Sequence, residues 1–226
     1  MQNKTISIKN AFSFGLDFMK NNIKIAISII IILYISGSFP LIDKTQHLVL
    51  YRVLNIIAFL VLYLYGIELI HISGCWYDCH SVTIKDLKLP LSLILRHFLG
   101  MVIFSLCTFL ATLLLVVPGI YFFLTHYFFQ YFIIDKSFGI RESFRLSSKI
   151  TKGVKWELFG FFLIVYIPSF VSFLIMKYFS FYYMVYIQII FNFWSVLVYL
   201  ATFHVYRQLY NYLEEDESSI KQSENN

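Results

Sequence analysis

The sequence predicts an all-α integral membrane protein with about six transmembrane helices and amphipathic interfacial helices. Three observations carry that prediction. The chain is 59% hydrophobic and 14% charged, too few charges to coat a soluble globule of 226 residues. Its apolar residues gather in runs near the ~20 residues that a helix needs to cross about 30 Å of hydrocarbon. Its basic residues fall between those runs and form no single patch, so the formal charge of +5 does not point to a nucleic-acid partner. The 25 Phe and 17 Tyr give the apolar surface an aromatic character suited to lipid and interface.

Residues 1–22 read as an N-terminal interfacial segment, with Ile8, Phe12, Phe14, Leu16 and Met19 among lysines. The membrane domain covers residues 23–212. Its first apolar run, Ile23 to Phe39, stops at Pro40, and the chain before it is long for the n-region of a cleavable signal, so it reads as an uncleaved span. The second runs from Val53 to Ile72, the third from Leu95 to Val117, the fifth from Val154 to Met176 and the sixth from Phe181 to His204. The fourth, Ile120 to Ile134, is shorter and fits either a short span or a re-entrant segment. Pro118-Gly119 predicts a tight turn that folds the third and fourth runs into a hairpin. Residues 213–226 form an acidic, polar tail whose composition reads as disordered.

Orientation follows from the basic residues, which are retained on the cytoplasmic side. With six spans and both termini inside, only Lys44, Arg52 and Lys177 face outward. Among the inner segments, residues 139–152 stand out. At about 100° per residue from Ile140, one sector holds Ile140, Ser143, Phe144, Leu146, Ser147, Ile150 and Thr151. The opposite sector holds Arg141, Glu142, Arg145 and Lys149, its cations recurring every four residues, and Gly153 suits the close of the helix. Two readings fit this pattern: a connector packed on the bundle, or a site at which Arg141, Arg145 and Lys149 hold anionic lipid headgroups.

The run VVPGIYFFLTHYFFQYFIIDKSFGIRESFRLSSKITKGVKWELFGFF, Val116 to Phe162, resembles a pattern in a group of bacterial multi-span proteins. That group is related to the membrane domain attached to some glycerophosphodiester phosphodiesterases. The resemblance rests on Pro118-Gly119, Asp135, Ser147, Thr151-Lys152-Gly153 and Trp156. The stretches SVTIKDL, Ser81 to Leu87, and HVYRQLY, His204 to Tyr210, are similar to further parts of the pattern. It implies a six-helix fold in a bacterial cytoplasmic membrane with lipids as partners. The phosphodiesterase of such proteins lies in a separate soluble domain, so the resemblance implies no enzymatic activity.

Other chemistry falls to the residues that apolar runs tolerate least. His71, Cys75 and Cys79 recur every four residues and form a weak zinc candidate, although their spacing matches no finger or protease pattern. No disulfide is expected on the reducing side, and no cofactor is implied. His126 with Gln130, and Gln188 with Asn192, place polar pairs at membrane depth, where they serve either inter-helix hydrogen bonding or a transport path. Glu68 lies near the inner end of the second run and can snorkel. Pro168 frees the carbonyl of Ile164 within the fifth. No His-Glu-x-x-His, Gly-x-Ser-x-Gly or Walker loop occurs. The sequence therefore predicts a non-enzymatic protein that interacts with lipid or organises the membrane; the alternative is a small transporter using the polar pairs.

Overall fold

The computed structural model describes residues 4–38, 48–80, 82, 89–176 and 181–224. Among them the chain forms α1 (Ile8–Asn21), α2 (Ile23–Ser38), α3 (Leu48–Cys79), α4 (Leu91–Leu114), α5 (Val116–His126), α6 (Phe129–Lys136), α7 (Ile140–Ile150), α8 (Lys155–Met176) and α9 (Phe181–Glu224), with no strand. Four stretches are long and apolar enough to cross a membrane: Arg52–Cys79, Leu91–Leu114, Val116–Lys136 and Tyr186–Glu215. A fifth arises if α7 and α8, bent by 101° against each other, count as one broken span. This is the architecture of an all-α integral membrane protein. Most of SVTIKDL, and also Lys44 and Lys177, lie outside the described residues.

The helix α1 starts where the Ser7 hydroxyl accepts the Asn10 N–H, a local N-cap. Its buried side is Ala11, Gly15, Phe18 and Met19, facing α9, whereas Leu16 of the expected apolar set is exposed. Small residues explain the shift: a Cβ at Gly15 would stand 2.7 Å from Leu197 Cδ1, so the bare glycine sets the close approach of the two helices. The preceding segment is strapped to the bundle. Ile6 N–H donates to Glu157 Oε2 at 2.7 Å, and Gln208 accepts from Ser7 N–H and donates to the Thr5 carbonyl.

The hairpin turn between α4 and α5 falls earlier than expected. Only Leu115 leaves the helical conformation (φ −161°, ψ 143°), and Pro118 sits in the first turn of α5. A proline is tolerated there because the N–H it lacks has no intrahelical acceptor in a first turn. Gly119 is the contact point of the hairpin, since a Cβ on it would overlap Thr112 of α4. A second break, at Tyr127 and Phe128, separates α5 from α6. The side chains of α6 pack on α3, α4, α7 and α9, and Phe129, Tyr131, Phe132 and Ile133 are fully buried.

Near Pro168 the Trp194 indole N–H donates to the Val165 carbonyl at 3.1 Å, tying α9 to the turn of α8 that proline interrupts. The residues from Leu213, expected as a disordered tail, continue α9 as helix to Glu224. Glu, Lys and Gln are good helix formers, and extending an existing helix avoids the cost of nucleation.

Candidate functional site

The site is built on α7 and on the helix ends beneath it. Gly139 leads into α7 with extended backbone, and Glu142 in the first turn and Lys149 in the last complement the helix dipole. The buried side is Ser143, Leu146, Ser147 and Ile150, followed by Thr151. Ser147 and Thr151 hydroxyls both donate to the Thr125 carbonyl, at 3.0 and 3.2 Å. Thr125 lies in the last turn of α5, where carbonyls run out of helical donors, so α7 supplies them from its side chains. Phe144 stacks on Phe129 with ring centroids 4.5 Å apart. Opposite these contacts Arg141, Arg145 and Lys149 are exposed. On this face the ion pair of Arg145 with Glu142, at 3.5 Å, is solvent-exposed and worth little. Beyond α7 the chain turns through Gly153, whose φ of +92° favours glycine. Lys155 then places its ammonium 3.5 Å from the centroid of the Tyr121 ring, beside Trp156, which is 86% exposed.

Beneath α7, Ser137 closes α6 in the left-handed region (φ 57°), and Arg96 of α4 donates to the Ser137 and Phe138 carbonyls. One turn back is an ion cluster that joins three helices. Arg207 Nη2 of α9 donates to Asp78 Oδ2 of α3 at 2.7 Å and to Asp135 Oδ1 of α6 at 2.8 Å. The Tyr206 hydroxyl donates to the other oxygen of Asp135, and Lys136 stands 3.9 Å from it. Tyr77 and Phe203 cover the guanidinium. Two cations face two carboxylates, so the cluster is neutral and fits a structural clasp better than a ligand site. In the sequence Asp135 and, within HVYRQLY, Arg207 both fall in stretches that carry the resemblance, but nothing there pairs them. The available signal was that Arg207 is the one cation between Lys177 and Lys221, in a chain region of aromatic and aliphatic residues.

The other expected candidates do not converge. His126 packs between Phe122 and Phe144, and Gln130 approaches His97, whose Nδ1 lies 2.8 Å from the Tyr63 hydroxyl. Asn192 is buried and Gln188 half-buried on α9, and no hydrogen bond described links one pair to the other. A cavity of about 240 Å³ between the α5–α6 break, α8 and α9 is lined instead by Tyr127, Tyr166, Ser169, Ser195, Tyr199 and Thr202, with Phe191 and Val198. His71, Cys75 and Cys79 share one side of α3, but among the described residues no three His, Cys, Asp or Glu side chains gather to hold a metal. No disulfide joins Cys75, Cys79 and Cys107. No family model, curated protein or solved structure matches the chain.

Proposed function

We propose that this is a non-enzymatic protein of a bacterial cytoplasmic membrane, with both termini cytoplasmic, that holds anionic lipid headgroups on α7 and so organises lipid around its bundle. On this reading six apolar segments, α2, α3, α4, α5–α6, α8 and α9, are embedded in the membrane domain, and α7 lies at its inner face. The resemblance to the phosphodiesterase-associated membrane domain supports the same reading. The single observation that carries it is the division of α7. One side is fixed to α5 by Ser147 and Thr151, and the other presents Arg141, Arg145 and Lys149. A helix held this way cannot roll to hide its charges, so the stripe faces the headgroups.

Each basic residue near an anionic surface contributes about 1 kcal/mol, so the stripe is worth roughly 3 kcal/mol, or about a hundredfold in affinity. The variant Arg141→Gln/Arg145→Gln/Lys149→Gln is expected to lose co-purifying anionic lipid in native mass spectrometry of the detergent-extracted protein. Its melting temperature should stay at the wild-type value, because the three side chains are exposed. Undiminished retention of anionic lipid would overturn the proposal.

A further inference from the structure

Two lysines at or just past the C-terminal end of α7, Lys149 and Lys155, stand close to the α4–α5 turn. Ser147 and Thr151 bond the Thr125 carbonyl, which sets the last turn of α7, with Lys149, at the level of Thr125. Lys155 touches the ring of Tyr121. An ammonium at the centre of a bilayer costs at least about 2.5 to 3.5 kcal/mol, so these lysines mark the aqueous boundary. From Val116, where α5 begins, nine residue steps lead to Thr125, about 14 Å at 1.5 Å per residue; five steps lead to Tyr121, about 7.5 Å. A crossing takes about 30 Å. The turn is therefore no more than half a bilayer from the charged layer.

The apolar run is long enough for a crossing only when α6 is counted with α5, and the aromatic and aliphatic residues of α6 are covered by protein. Its aromatic residues are core, not lipid-facing surface. The turn, by contrast, is bare: Leu113, Leu114, Leu115, Val116 and Val117 are 62 to 80% exposed. No charged residue occurs between Arg96 and Asp135. Its backbone is nearly satisfied as well. Leu115 N–H donates to the Ala111 carbonyl and Gly119 N–H to the Leu115 carbonyl, while Pro118 has no N–H to leave orphaned.

We propose that α4 and α5 form a re-entrant hairpin that enters and leaves the membrane on the side of α7, with its tip in the hydrocarbon of that leaflet. At 24 residues, about 36 Å, α4 is too long to stand upright in half a bilayer and lies obliquely. Its exposed apolar side, from Leu91 through Leu95 and Phe98 to Leu114, is turned to acyl chains. The hairpin removes two crossings together, so both termini stay on one side. This inference rests on the reading of α7 as the headgroup layer.

The test uses the full chain in proteoliposomes with Cys75, Cys79 and Cys107 replaced by Ala, and single cysteines introduced as Leu115→Cys, Glu142→Cys on α7, or Lys44→Cys between α2 and α3. A membrane-impermeant maleimide is applied to each side in turn. From each side, Leu115→Cys is expected to react about tenfold or more slowly than the control exposed on that side, since the thiolate needs water to form. It should react at the control rate once detergent dissolves the bilayer. Labelling of Leu115→Cys from the side that labels Lys44→Cys would make the hairpin two crossings and overturn the inference while leaving α7 at the headgroups. A shielded Glu142→Cys would overturn the headgroup layer and the hairpin with it.

Discussion

Replacing Arg207 by Met is expected to lower the unfolding free energy by about 3 to 5 kcal/mol, the usual cost of stranding a buried charge. The Asp135 side chain is 4% exposed and loses its guanidinium, keeping only the Tyr206 hydroxyl and a lysine 3.9 Å away. Asp78, 53% exposed, can turn to water and suffers less. The double variant Arg207→Met/Asp135→Leu removes both buried charges and should recover much of the loss, because apolar pairs of similar volume often replace buried ion pairs without penalty. Denaturation in detergent micelles measures both. A double variant that costs as much as the two single variants summed would show that Asp135 and Arg207 do not act as a pair.

Gly119→Ala is expected to destabilise the protein by about 1 to 3 kcal/mol, the range for overpacking a tight contact. The added methyl would overlap the Thr112 hydroxyl and lie 2.9 Å from both Cα and Cβ of Thr112. A hydroxyl can rotate away, but a Cα moves only with its helix, so α4 and α5 must separate. Gly160→Ala is the matched control. Nothing lies within 4 Å of a Cβ there, and within a helix the alanine should stabilise by about 0.5 to 1 kcal/mol. Equal effects at the two glycines would mean that the hairpin contact does not matter.

The helical class was legible in hydropathy and periodicity, because both are written in consecutive residues. Of the six apolar runs expected, four, or five with a broken span, form helices long and apolar enough to cross a membrane. In α7, Arg141, Arg145 and Lys149 are exposed opposite a buried Ser143, Leu146, Ser147 and Ile150. What the sequence concealed depends on partners distant along the chain. Phe129 to Ile134 is as apolar as a lipid-facing span, and only the packing of α3, α4, α7 and α9 around it shows it to be interior. The buried side of α1 is carried by Ala11 and Gly15, which contribute little to an apolar pattern yet permit the closest approach to α9. Asp78, Asp135 and Arg207 come from three helices, so no spacing announces their cluster. The turn at Leu115 was displaced from Pro118-Gly119 because proline serves equally well inside a first helical turn.

Both the lipid stripe and the hairpin depend on where α7 lies relative to the bilayer. A nitroxide spin label on a single cysteine at Arg145, in the cysteine-free full chain reconstituted into anionic vesicles, reports that depth through its collisions with oxygen and with a water-soluble nickel chelate. Balanced accessibility to the two is expected, placing the label at the phosphate level, with a label at Leu110 reached by oxygen alone. A label at Arg145 freely reached by the nickel chelate as in bulk water, or one reached by oxygen alone, would contradict that placement.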